Sequence, residues 1–181
     1  SPAAGARLIE ALEALPAQIE EILAQEEPIR RLGEDLAETR HMFFIGRALG
    51  YPVALEGALK LKEVSYIHAE AYPASELKHG PLALIAPETP TLVVLPHDEL
   101  LEKNLSSVQE VKARKGPVIA LTHPGELPLE VDARIDVPRS EPLLDPILLG
   151  IPLQLLAYHT AIALGRDIDQ PRNLAKSVTV E

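Results

Sequence analysis

The chain has 181 residues, 46% hydrophobic and 24% charged, enough for one domain with a substantial core and unlike a disordered segment. Its formal charge of −10 disfavours nucleic acid and anionic membrane as partners, because both need a basic footprint. No cysteine is present, which excludes disulfides, thiolate metal sites and a cysteine nucleophile within this chain. Aromatic residues are scarce, with two Phe, four Tyr and no Trp, so Leu, Ile, Val and Ala must fill the core. No apolar run reads as a membrane span, and the opening SPAAGARLIEAL does not read as a signal peptide, so a cytoplasmic location is expected. The start on Ser1 without a methionine predicts a fragment or a processed product.

In chain order, residues 6–38 read as two helices. Leu8, Leu12 and Leu15 recur at helical spacing, and a second run extends from Ile19 through Leu36, with Pro16 and Pro28 breaking or beginning these segments. His41–Ile45 is a short apolar strand ending at Gly46, followed by a Gly-rich turn and a helix from about Pro52 to Ile67. His68–Tyr72 is a strand. Pro81 is expected near the first position of a further helix. Thr91–Leu95 is a buried strand, Asp98–Lys115 a charged helix, and Pro117–Leu121 and Ala133–Val137 two more strands. Leu143–Leu164 is a strongly apolar helix, kinked at Pro152 and stopped by Gly165. Short apolar strands alternating with helices predict an α/β fold, a parallel sheet covered on both faces. One domain is expected over 1–181, with 1–38 as a helical lead and 166–181 as a tail.

Three constellations could carry chemistry. In LEGALKLKEVSYIH, a rotation of 100° per residue puts Glu56, Lys60 and Glu63 within roughly a 60° arc, with Ala54, Ala58, Leu61 and Val64 opposite. Such a stripe is ordinarily an exposed ion-pair ladder worth a few tenths of a kcal/mol per pair. Its functional reading is a carboxylate, Glu63, that moves a proton between adjacent carbons beside a lysine that holds substrate oxygen. In ELKHGPLALI, His79 precedes a Gly-Pro turn that would expose it, where it serves either as a surface histidine or as an acid and base in one cycle. In the tail DIDQPRNLAKSVTVE, Leu174, Val178 and Val180 are possible anchors, and Lys176 reaches a site only if the tail docks. The six histidines show no ligand spacing such as HExxH, so no metal and no cofactor is expected.

One feature argues by its lack. Ligands of a doubly wound sheet bind beyond the carboxyl ends of its strands, yet Thr91–Leu95 runs into PHDELLEKN. A phosphate cradle wants Ser, Thr and Gly with free N–H groups, whereas Asp98 and Glu99 repel a dianion. The turn Gly46–Gly50 is a better anion candidate but a weak one.

The stretches YPVALEGALKLKEVSYIHAEAYPASELKHGPLALI and IPLQLLAYHTAIALGRDIDQPRNLAKSVTVE resemble the second SIS (sugar isomerase) half of the glutamine-dependent glucosamine-6-phosphate synthase family. The resemblance implies an SIS-type three-layer αβα sandwich with a mostly parallel sheet of about five strands, preceded by N-terminal helices. It implies a parent enzyme making glucosamine 6-phosphate and glutamate from fructose 6-phosphate and glutamine. The partners would be an N-terminal glutaminase domain with a cysteine nucleophile and a first SIS half carrying the Ser/Thr-rich phosphate loop, in a homodimer. On this sequence the family's proton-transferring base falls on Glu63, its ring-opening histidine on His79, which serves the neighbouring subunit, and its carbonyl-engaging lysine on Lys176. Lys60, Glu56 and Ala175 fall on accessory positions around the substrate. With the phosphate loop elsewhere, the isolated chain is expected to fold but to bind fructose 6-phosphate weakly. The rival readings are a stand-alone SIS isomerase or deglycase, which should carry its own phosphate loop, and a non-catalytic sugar-phosphate-binding dimerisation module, which has no need of Glu63, His79 and Lys176 together.

Overall fold

The computed structural model describes residues 1–172. Two helices lead, α1 (Pro2–Leu23) and α2 (Glu26–Leu36). Then follow β1 (His41–Gly46), α3 (Gly50–Ser65), β2 (His68–Pro73), β3 (Thr91–Leu95), α4 (Leu101–Lys112), β4 (Val118–Thr122), β5 (Ala133–Asp136) and α5 (Asp145–Ala163). The five strands form one sheet in the order β2-β1-β3-β4-β5, and every pairing is parallel. TLVVL and VIALT are buried at every position, as strands with helices on both faces must be.

Side-chain alternation divides the core in two. Met42 and Phe44 of β1 point to the face covered by α1, α2, α3 and α5, while Phe43 and Ile45 point to the face covered by α4 and the segment between β2 and β3. Gly57 lets α3 lie close against this sheet. A Cβ there would come within 2.7 Å of Leu153 Cδ1 and 3.0 Å of Phe44 Cε1. Ala54, Ala58 and Leu61 share the buried side of α3, as the helical period predicts, but Val64 does not. It is half-buried and borders the same cleft as Lys60, because four residues at 100° each put it only about 40° around from Lys60.

Several expectations are corrected. Pro16 does not break the lead region: α1 runs through it and ends at Leu23, so the two helices divide at Ala24–Gln25. Pro16 is exposed, and a solvated helix face can hydrate the carbonyl that loses its N–H partner. Pro28 does lie in the first turn of α2. In place of a helix after His79 there are two short 3-10 turns, Leu77–His79 and Pro81–Leu84, since the Gly80 φ of 148° breaks helical geometry between them. The charged helix starts at Leu101, later than Asp98, because the Asp98 side chain accepts the Leu100 N–H in a turn of its own. Finally, α5 is long and apolar enough to cross a membrane, contrary to the reading of the bare sequence. Half of its apolar window is buried in this fold, where it packs on α2 and α3 as a core helix.

Candidate functional site

The outward side of α3 carries the acid–base–acid stripe. Lys60 Nζ donates to Glu63 Oε2 at 2.6 Å, and the two side chains are 32% and 44% exposed. The hydrogen bond to Glu63 raises the Lys60 ammonium above its ordinary pKa; partial burial opposes this, and the charges of Glu63 and Glu56 reinforce it. Lys60 is thus a fixed cation at neutral pH, and the pair, being solvated, adds little to stability. It does present one carboxylate oxygen anchored by an ammonium and a second left to accept a proton. Beside the stripe lies a shallow cleft of about 250 Å³ lined by Lys60, Val64, Gln154, Tyr158, Ile168 and Asp169, among others. Sequence reasoning missed Gln154 and Tyr158. The signal available was Gln154 itself, the one polar residue in the stretch Pro146–Ala157 of α5.

The chain after α5 returns to this place. Gly165 turns it with φ of 63°, Pro171 is buried, and the Arg172 N–H donates to the Tyr66 hydroxyl at 2.9 Å. The guanidinium groups of Arg166 and Arg172 lie 5.3 and 4.4 Å from the centre of the Tyr66 ring, a cation–π arrangement. Tyr66 caps α3 three residues beyond Glu63, so the described part of the tail is held beside the stripe. Lys176 and Ala175 lie outside the described residues.

His79 is exposed as expected, but it does not join Glu63 within the chain. It follows Leu77, which packs with Phe43, Ile45 and Val93 on the α4 face, whereas α3 covers the opposite face. The sheet stands between them.

At the carboxyl ends of β1 and β3, where this strand order reverses, a cleft of about 400 Å³ is lined by Gly50, His97, Asp98, Glu99, Arg139 and Asp145 among others. This is the crevice in which doubly wound sheets hold ligands. Three carboxylates and an Arg139 tied to the His97 carbonyl at 2.8 Å make it a poor dianion cradle, in keeping with the sequence reading. Behind it, His123 is 1% exposed and meets the His97 ring edge-on at 5.8 Å. Its Nδ1 donates to the Val137 carbonyl at 2.9 Å, and its Nε2 lies 3.5 Å from Asp145 Oδ2. Burial disfavours the imidazolium, but Asp145 and the Val137 carbonyl outweigh it and hold the His123 pKa above its ordinary value. A raised folded-state pKa contributes stability that is full below the unfolded value of about 6.5 and is lost as pH rises through the folded one. Burial pushes His97 the opposite way, so the whole-protein curve mixes both. Asp145→Asn isolates the His123 share: its urea midpoint is expected to fall below that of the parent at pH 5.5 and to converge on it at pH 8.5. A gap independent of pH would show that Asp145 does not stabilise a charged His123.

An all-parallel five-stranded sheet in this order, layered between helices, defines a doubly wound α/β domain. The SIS domain model matches residues 35–164, and the chain belongs to the SIS-domain family. Over 176 residues it is 53% identical to the glutamine–fructose-6-phosphate aminotransferase (isomerizing) of Escherichia coli K12. It is 49% identical to the Bacteroides thetaiotaomicron protein of the same name. Each match covers 96% of this chain but 29% of the relative, and it falls on the C-terminal part of those relatives. Among solved structures, the C-terminal domain of glucosamine-fructose-6-phosphate aminotransferase from Francisella tularensis superposes with a TM-score of 0.87 at 44% identity, over 91% of this chain and 47% of that one.

Proposed function

We propose that this chain is the catalytic SIS half of a glutamine-dependent glucosamine-6-phosphate synthase, in which Glu63 transfers the proton that converts a ketose imine into an aldose amine. The observation that carries the reading is the Lys60–Glu63 pair at 2.6 Å in a chain 53% identical over 176 residues to a relative named for that activity. In the proposed sequence His79 assists opening of the fructose 6-phosphate ring, and Lys176 engages the freed carbonyl, with Ala175 beside it. Ammonia from a glutaminase domain adds at carbon 2, and water leaves to give the imine. Glu63 removes a proton from carbon 1 and returns it to carbon 2, while the proton of the carbon-1 hydroxyl ends on nitrogen. An aldehyde at carbon 1 and an amine at carbon 2 result. Lys60, with Glu56 one turn behind it, orients the carboxylate and steadies negative charge on the enol-like oxygen.

The same reading places the phosphate in a first SIS half and places His79 in the site of a neighbouring subunit. The first part is supported by the carboxylate-lined crevice at the strand ends, and the second by the sheet that separates His79 from α3. A homodimer in the cytoplasm follows as part of the proposal. Titration calorimetry with fructose 6-phosphate is expected to give at most weak, unsaturated binding to this chain alone and saturable binding once a separately expressed first SIS half is added. Tight binding by the chain alone would overturn the split site and favour an autonomous isomerase.

A further inference from the structure

His41 opens β1 and His68 opens β2, and the parallel register pairs the two residues directly. Their Nδ1 atoms lie 3.2 Å apart, with the rings inclined at 76°. On the other side of His68, Nε2 lies 3.4 Å from Glu70 Oε1, and Glu70 accepts a hydrogen bond from the Tyr72 hydroxyl. A carboxylate beside Nε2 suits a proton on that nitrogen and leaves the Nδ1 lone pair of His68 for a second partner. Both histidines are exposed, and they border a cavity of about 270 Å³ with Phe43, Leu84 and Thr89.

We propose that His41 and His68 chelate a divalent transition-metal ion of the Zn²⁺ class through their Nδ1 atoms, with Glu70 as the carboxylate that orients His68. Zinc–nitrogen bonds of about 2.0–2.1 Å at a tetrahedral angle put two ligand nitrogens about 3.3–3.4 Å apart, so the separation of the pair already suits a shared ion once the exposed rings turn both lone pairs toward it. Loading requires both Nδ1 atoms to present lone pairs, so the proton shared between them leaves to solvent and each ring carries its proton on Nε2. Imidazole nitrogen with no thiolate suits Zn²⁺, Ni²⁺ or Cu²⁺ over Mg²⁺ or Ca²⁺. No cluster of three or more ligating side chains occurs among the described residues. The site is therefore an open one, completed by water, that exchanges its ion with solution. The two ligands are 27 residues apart in the chain, so the search for local ligand spacing passed over them.

The test is titration of the whole chain with Zn²⁺ in chelator-free buffer by calorimetry, repeated with Co²⁺ to read nitrogen ligation in its visible spectrum. One ion per chain is expected. His41→Ala and His68→Ala should each weaken binding at least about tenfold, Glu70→Gln about 10- to 100-fold, and His79→Ala not at all. Circular dichroism melts confirm that each variant is folded, with His41→Gln and His68→Gln as substitutes if an alanine variant is not. Absence of saturable binding overturns the proposal. So does binding that survives both histidine substitutions, or that is lost on only one of them.

Discussion

Replacement of Glu63 by Gln, assayed in the synthase proposed above with its glutaminase domain and first SIS half, is expected to lower kcat about 10²- to 10⁴-fold. The KM for fructose 6-phosphate should change little. The amide oxygen can still accept from Lys60 Nζ, which sits 2.6 Å from Glu63 Oε2, so the geometry of the stripe survives. What disappears is the property the proposed mechanism needs of this side chain, the ability to take a proton from carbon 1 and give it to carbon 2. Glucosamine 6-phosphate formation under saturating glutamine reads the effect. If Glu63 were a rung of an exposed ladder, the same change would cost a few tenths of a kcal/mol in stability and leave turnover within a few-fold of the parent. That result would sink the assignment.

Phe44→Ala is expected to destabilise the fold by about 3–5 kcal/mol, a large share of the roughly 5–15 kcal/mol available to a domain. Phe44 is 1% exposed in β1, and its ring meets α3 where Gly57 removes any side chain. Truncation leaves a void between β1, α3 and Leu153 of α5, at a point where Gly57 offers no side chain to fill it. Urea unfolding measures the loss. Because α3 rests on that ring, a partly active variant should also show Lys60 and Glu63 held less firmly, as a lower kcat at temperatures where it remains folded. A cost below about 1 kcal/mol would mean that α3 is seated by other contacts, contrary to the packing described.

Much of this could be read from the chain because the signals are local. A buried parallel strand must be an uninterrupted apolar run, and TLVVL and PVIAL are such runs. A helix between them must turn one side inward every 3.6 residues, and Ala54, Ala58 and Leu61 mark that side with Glu56, Lys60 and Glu63 opposite. The membership of the family rested on ELKHGPLAL and the tail, whose length makes chance agreement implausible. Local signals also misled. Pro16 carries a strong breaking tendency, but the tendency is weak against a helix whose proline side faces water. The Gly-Pro after His79 announced a turn correctly, while the expected helix failed because Gly80 takes a φ no continuing helix allows.

The sequence by itself determined the class of fold, the order of its elements and the side of α3 on which the charges stand, since each depends on residues a few positions apart. Tertiary structure decided which distant groups meet: Arg172 against Tyr66, Asp145 beside His123, and His41 against His68 across the register of β1 and β2. It also decided that His79 and Glu63 lie on opposite faces of one sheet. The physical reason is that period and propensity specify a segment's own geometry. Contacts between segments are set by packing, when strands choose neighbours and helices choose faces to bury the most apolar surface.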